Sequence, residues 1–408
     1  MLKSFKTRLN LNNKQRTLAA KHAGVARHAW NWGLNICLKA MDASEKLPTA
    51  IDLHKRLVAE VKSANPWYYE VSKCAPQEAL RHLQKAFKDW FKIPERGKPK
   101  FKKKNIKDSF YLEGSINISG NKIKLPRIGW VKCSEILPTV QPKNVTISKR
   151  ANDWYISFKY ELKPKPTPTP KIRKRIGVDL GINTLATCSD GTAFPNQKAY
   201  RKAQRKLAHL QRSFCRKQKG SKNRKRANLK VARLQRKISN IRVDALHKLT
   251  TWLTKNHSEI VIEDLNVSGM LKNHRLASAI ADCGFYEFKR QLEYKASWYG
   301  ATIIKVDRFY PSSQLCSCCH HRQKMPLSKR TFKCGNCGVE LDRDLNASIN
   351  LEHWHPDVDY PKTVSSTGLA CGESDKLNGT AVKDSTKQEV NIEFAWIQMS
   401  LFDLSRFE

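Results

Sequence analysis

Residues 2–11 alternate, with Phe5, Thr7, Leu9 and Leu11 set against Lys6, Arg8 and Asn10, a period of two that predicts a strand. After Asn12, a residue suited to capping, the period lengthens. Leu18, Val25, Ala29 and Trp32 then mark a helix running to about Met41. A second helix opens at Ala75-Pro76, where proline suits the first helical position, and carries the stripe Leu80, Leu83, Phe87 and Trp90. A helical block thus follows a lone strand that needs partners. They come from about 108 onward. "INISGNKIKL" reads as a hairpin turning at Ser119-Gly120-Asn121, and "NVTISKRANDWYISFKYEL" as another turning at Asn152-Asp153, with Trp154, Ile156, Phe158 and Tyr160 on one face. The expected assembly is a small β-barrel with the helical block inserted.

"KPKPTPTPK", Lys163–Lys171, has proline at every second position and predicts a semi-rigid extended linker. Beyond it "RIGVDLGINTLATCSDGTAF" reads as two strands closing at Asp190-Gly191. A long amphipathic helix follows, marked by Leu234, Ile238, Ile241, Ala245 and Leu249 and broken near Lys219-Gly220-Ser221 into a helical hairpin. "SEIVIEDLN" is a short buried strand, residues 278–299 a helix stopped by Gly300, and "TIIKV" one more strand, a mixed α/β order. After about 356 the periodicity fails among Pro, Gly, Ser and Thr, which predicts a disordered tail.

Charge changes this picture. Lys and Arg number 76 against 36 Asp and Glu, a formal net charge of +40. Self-repulsion on that scale calls for a polyanionic partner. Residues 201–242 alone hold seventeen Lys/Arg and no acid, and "RGKPKFKKKN" is a second basic stretch. Nucleic acid fits, because basic side chains release counterions condensed on a phosphate backbone. An anionic membrane surface is the competing partner. No apolar run approaches the roughly 20 residues a spanning helix needs, and "MLKSFKTRLNL" lacks the apolar region of a secretory signal.

Twelve cysteines raise the question of disulfides, but eight have no paired spacing. The remaining four, Cys316-x2-Cys319 and Cys334-x2-Cys337, match a tetrahedral four-thiolate zinc site and a reducing compartment. Cys318, His320 and His321 crowd the first pair, and any of them is a possible substitute ligand. A closed four-thiolate site folds a loop and leaves no open position for catalysis.

Acids are scarce, so those inside apolar runs stand out. Asp179 sits within "IGVDLG" and Glu263 ends "IVIE", both costly placements unless the carboxylate is paired or coordinating, although a turn or cap aspartate is the plainer reading of the first. Asp342 and Asp344 precede "LNASINL", a helix start that favours negative charge in any case. Taken together, oxygen ligands at the ends of separate core elements suit Mg²⁺ or Mn²⁺, and two such ions support phosphodiester hydrolysis.

The ordered set "GVDLG", "IVIEDL", "SSQLCSCC", "CGNCG" and "DRDLNAS" resembles the RuvC nuclease half of TnpB, a family encoded by bacterial insertion sequences, and is similar to the compact type V CRISPR effectors. The resemblance is close over about 176–350, and the N-terminal half matches in arrangement. It implies a multidomain α/β plus β-barrel protein with an RNase H-like (RuvC) domain carrying a zinc-ribbon insertion. The implied boundaries are a barrel at 1–11 and 106–162, a helical recognition domain at 12–105, a linker at 163–171, a nuclease domain at 172–310 and 340–356, a zinc ribbon at 311–339 and a tail at 357–408. It also implies Asp179, Glu263 and Asp344 as magnesium ligands and catalytic residues. Asp344 is carried over rather than Asp342 because the family's third acid directly precedes the x-N-A-[AS] run. "CSCCHH" departs from the family's usual C-x-x-C-G. The implied activity is RNA-guided cleavage of double-stranded DNA beside a short flanking motif, by a monomer on one guide RNA in the bacterial cytoplasm, nucleoid-associated and without a membrane. A guided regulator that does not cut, and a transposase catalysing strand transfer, are the alternatives.

Overall fold

The computed structural model describes residues 2–93, 95–161, 173–326, 328–356 and 358; the linker and all but one residue of the tail expected from sequence lie outside these. The chain divides into two units, 1–164 and 165–408.

In the first unit β1 (Leu2–Asn10) leads into α1 (Asn13–Asp42). Asn12 closes a capping box: its Oδ1 accepts the Gln15 N–H at 2.9 Å, and its own N–H donates to Gln15 Oε1 at 3.1 Å. Next come α2 (Ala50–Arg56), which runs on through one π turn, and a 3₁₀ turn at Pro66–Tyr68, none of them expected from periodicity. α3 (Cys74–Lys92) buries Leu80, Leu83 and Phe87 as expected, with Trp90 only partly covered. The two long helices touch at Gly33, where a Cβ would lie 2.7 Å from Leu80 Cδ2.

The remaining strands of this unit are β2 (Ser109–Glu113), β3 (Asn117–Ser119), β4 (Lys122–Leu125), β5 (Gly129–Cys133), β6 (Asn144–Arg150) and β7 (Asp153–Glu161). They form a seven-stranded antiparallel sheet in the order β2-β6-β7-β1-β5-β4-β3, so the first strand finds its partners at the centre. The end strands β2 and β3 are joined by a three-residue turn, with no ladder between them among the described residues. The second hairpin turns one residue earlier than expected, at Ala151-Asn152. Both have positive φ, 48° and 71°, and Arg150 pairs with Asp153, the geometry that suits a two-residue turn to twisted strands.

The second unit opens with β8 (Arg173–Asp179), β9 (Thr184–Cys188) and β10 (Ala193–Pro195), three strands where two were expected. The basic hairpin is α4 (Ala199–Cys215) and α5 (Lys222–Asn256), broken where predicted, with Ser221 Oγ accepting the Arg224 N–H at 3.1 Å. β11 (His257–Glu263), α6 (Val267–Met270), α7 (Ala277–Cys283), α8 (Phe285–Tyr299) and β12 (Thr302–Val306) follow. The single helix expected over 278–299 is therefore two, divided at Gly284 with φ 73°. The five-stranded sheet runs β10-β9-β8-β11-β12, antiparallel through the first three and parallel from β8 to β12. β13 (Thr331–Lys333) and β14 (Glu340–Asp342) make a short hairpin that passes directly into α9 (Arg343–His353).

Candidate active site and metal centre

β8 and β11 are adjacent, parallel and central in the sheet, with Val178 opposite Ile262, so Asp179 and Glu263, each one residue further on, emerge side by side at the C-terminal ends of these strands. Their branched apolar neighbours Ile176, Val178, Ile260 and Ile262 are buried and fix the register. α9 crosses β8 at Gly177. A Cβ there would sit 2.0 Å from the Ser348 carbonyl oxygen and 2.5 Å from the Glu352 nitrogen, so only glycine lets the helix backbone rest on the strand. Gly181 is equally confined, its Cβ position 2.8 Å from the Thr184 oxygen and 4.0 Å from Asp344 Oδ2. The two glycines of "GVDLG" thus bring the first turn of α9 to Asp179.

The electrostatics record that convergence. Burial, then the charge of Asp344, pushes the Asp179 carboxyl up to about 7. Burial, then Asp179, Asp264 and Asp307, pushes Glu263 up to about 8. Asp179 is the shared neighbour. Arg343 opposes the shift of Asp179, and Arg330 lies 3.9 Å from Asp344, itself mostly covered. Asp342 plays a different part. It is exposed and caps α9, its Oδ1 accepting the N–H groups of Asp344 at 2.9 Å and Leu345 at 3.1 Å.

Buried amides that sequence reasoning passed over hold α9 in place. Asn346 Nδ2 donates to the Leu315 carbonyl at 2.7 Å, and Asn350 Nδ2 to the carbonyls of Ser312 at 2.7 Å and Leu315 at 2.8 Å. Polar residues that interrupt the apolar period of "LNASINL" were the available signal. Asp282 was also missed. Its buried carboxylate accepts the N–H groups that open α4, Tyr200 at 2.9 Å and Arg201 at 3.4 Å, and pairs with Arg242 at 2.9 Å.

The four expected cysteines come together. Cys316 Sγ lies 3.6 Å from Cys337 Sγ, Cys319 Sγ lies 3.6 Å from Cys334 Sγ, and all four sulfurs fall within 4.8 Å of one another. A regular tetrahedron with metal–sulfur bonds of about 2.3 Å has edges of roughly 3.8 Å, so the set fits zinc. The two knuckles repeat one backbone pattern. The His320 N–H donates to the Cys316 carbonyl at 3.0 Å and the Gly338 N–H to the Cys334 carbonyl at 3.1 Å, while Cys316 and Cys334 donate to His321 and Val339. His320 (φ 57°) and Gly338 (φ 73°) occupy the same left-handed position. In that pattern His320 stands where the second knuckle has glycine, and Cys318 is exposed and outside the cluster. Among the described residues the three carboxylates do not form a cluster as tight as that of the sulfurs.

Across α4, α5 and the turn between them fourteen of the seventeen cations in 201–242 are exposed, the others being the half-buried Arg224, Arg236 and Arg242. None of the helices among the described residues is long and apolar enough to cross a membrane.

Residues 157–274 match the OrfB family of IS605 elements, described as a probable transposase, and 285–351 match the TNB domain of Cas12f1-like proteins. Residues 1–46 match a helix-turn-helix model of the OrfB proteins, although here they form one strand and one long helix. A Streptomyces pristinaespiralis protein provisionally named RNA-guided DNA endonuclease is 35% identical over 86% of this chain and 88% of its own length. The Escherichia coli protein InsQ, under the same provisional name, is 34% identical over 91% and 94%. The CRISPR-associated endodeoxyribonuclease Cas12f1 of Sulfoacidibacillus thermotolerans is 21% identical over 52% of this chain and 53% of its own length. Among solved structures, the mini-RNA-guided endonuclease CRISPR-Casφ3 overlays with a TM-score of 0.43 at 11% identity, covering 86% of this chain and 92% of that one, a likeness too slight to build on.

Proposed function

Because the chain belongs to the TnpB (OrfB) family of insertion-sequence proteins, we propose that it is an RNA-guided DNA endonuclease whose second unit hydrolyses phosphodiester bonds. The observation that carries this reading is the approach of Glu263, from the neighbouring strand, and of Asp344, from α9, to Asp179 at the C-terminal ends of two central parallel strands, with the acidities of Asp179 and Glu263 strongly perturbed. The sheet order supports an RNase H-like domain at 172–310 and 340–356, with 311–339 as its zinc ribbon. The sheet and helices of the first unit support the barrel-and-recognition arrangement that would hold guide RNA and read a flanking motif.

Asp179, Glu263 and Asp344 would hold Mg²⁺ or Mn²⁺. Carboxylates that repel one another, with the protons of Asp179 and Glu263 held more tightly than usual, form an environment that a divalent cation relieves. Bound there, such ions supply polarisation of the scissile phosphate and an activated water. The chain's own contribution is placement: α9 carries Asp344 to Asp179, Asp342 fixes the first turn, and the zinc held by Cys316, Cys319, Cys334 and Cys337 shapes the loop leading into it. The exposed cations of α4 and α5 bind phosphate backbones. We assign the working form as a monomer on one RNA in the cytoplasm, at the nucleoid.

The test is cleavage of a plasmid target by the purified protein–RNA complex with added Mg²⁺. Linear product that depends on the matching guide sequence supports the reading. Joined products, or guided binding without any cut, would overturn it.

A further inference from the structure

Within the first unit, Gly24, Arg27, His28, Asn31 and Trp32 of α1 line a cleft of about 600 Å³ together with Trp67 of the 3₁₀ turn. That volume lies in the range of small-ligand pockets. Gly24 leaves the floor open: a Cβ there would meet only Arg27 Nη2, at 3.9 Å. Trp67 is 37% exposed, its ring edge-on to His28 at 5.2 Å and tilted against Tyr68 at 4.5 Å. His28 Nδ1 is hydrogen-bonded to Tyr68 Oη at 2.8 Å, and Nε2 has no partner among the described residues.

The other polar groups of the cleft serve a neighbour. Asn31 exchanges two hydrogen bonds with the backbone of Lys102, at 2.8 and 3.0 Å, and Trp30 Nε1 donates to the Lys100 carbonyl at 3.1 Å. Lys102 Nζ lies 3.7 Å over the Trp30 ring, and Arg27 pairs with Asp108 at 3.0 Å. Residues 96–105, with six Lys/Arg and no acid, are thereby fastened beside the aromatic cleft. Rings flanked by a fixed run of cations match a base and its phosphates. Bases inside a duplex already stack on one another, so such a platform needs an unpaired one.

We propose that this cleft receives an unpaired base of the RNA partner, packed against Trp67 and Trp32 with its polar edge at His28, while the adjoining phosphates lie along residues 96–104. The assignment rests on the RNA-guided reading above. RNA is preferred to DNA because a folded RNA presents looped-out bases before any target is opened.

The test uses the full chain with its copurified RNA removed, probed with oligoadenylate and with an abasic oligonucleotide of equal length. Trp67→Ala should weaken oligoadenylate binding about 10-fold, as loss of one stacked base does, and leave abasic binding unchanged. Trp67→Phe should restore most of the loss, and His28→Ala should weaken oligoadenylate binding through loss of its polar contact and of its packing on Trp67. An unchanged melting temperature of the RNA-free variants excludes unfolding as the cause. Equal losses on both probes, or none, overturn the proposal. Ultraviolet crosslinking of the native protein–RNA complex should attach RNA to peptides containing Trp32 or Trp67; attachment confined to added target DNA overturns the choice of RNA. A chain that binds no RNA at all sinks the proposed function, whereas RNA binding indifferent to Trp67 sinks only the cleft.

Discussion

Asp342 commits its carboxylate to the backbone of Asp344, accepting that residue's N–H at 2.9 Å, while the charge of Asp344 is the stronger of the two at Asp179. On the proposed function, the paired acids at the end of the cysteine loop divide into a cap, Asp342, and a ligand, Asp344. Asp344→Asn should abolish cleavage while guided binding persists. Asp342→Ala should lower stability by about 1 kcal/mol, the usual effect of losing a cap, and reduce cleavage only a few-fold. Parallel cleavage and unfolding assays on the two variants check this; the reverse assignment would exchange the two outcomes.

The weakened acidities of Asp179 and Glu263 make the metal-free fold sensitive to pH. Between about pH 4 and pH 8 the folded chain retains protons that the unfolded chain has released, so stability should fall as pH rises through that window. Mg²⁺ should stabilise the protein more at pH 8 than at pH 6, where protons compete for the same oxygens. Thermal unfolding at the two pH values, with and without Mg²⁺, measures both effects. Asp179→Asn should flatten the metal-free trend.

Elemental analysis should find about one zinc per chain in the parent and in Cys318→Ser, and none in Cys316→Ser or Cys337→Ser. His320→Gly should retain the zinc and raise stability by about 1 kcal/mol, because the substitution relieves a left-handed backbone at a position glycine fills in the other knuckle. Loss of zinc from His320→Gly would make that histidine a ligand.

The basic hairpin should act by neutralising phosphates. Uncharged replacement of the exposed Arg216, Lys217, Lys219, Lys222, Lys225 and Arg226 should weaken nucleic-acid binding and flatten its salt dependence. On a log–log plot the slope should fall by roughly 0.7 to 0.9 for each phosphate no longer neutralised. Binding measured across a salt series reads the slope directly. A slope equal to the parent's leaves these residues as a solvated face.

Much of this was legible because charge inside an apolar run is conspicuous. Asp179 and Glu263 stood out against Ile176, Val178, Val261 and Ile262, and the cysteine spacing stood out as a pattern. Legibility failed where a partner lies far along the chain. Nothing local shows that Asp282 opens α4 from about eighty residues away, or that Arg330 reaches Asp344. The division at Gly284 was hidden because apolar residues continue at helical spacing on both sides of it. The Trp67 cleft was hidden because a π turn and a 3₁₀ turn, neither with the period of a regular helix, carry the chain to it.

The Leu315 carbonyl is gripped by both Asn346 and Asn350, and the Arg343 N–H donates to the Arg330 carbonyl at 2.7 Å. The excursion that carries the cysteines is therefore fastened to α9 where it sets out, at Leu315, and again between its two knuckles, at Arg330, before it runs covalently into that helix. To the rest of the domain it is a ring closed at its base, and the entropic cost of closing such a ring grows by only about 0.6 kcal/mol for each doubling of its length. Residues can be added to or removed from its outer reaches without altering the separation of Asp344 from Asp179, which leaves the knuckles free to diverge while the carboxylates stay in place.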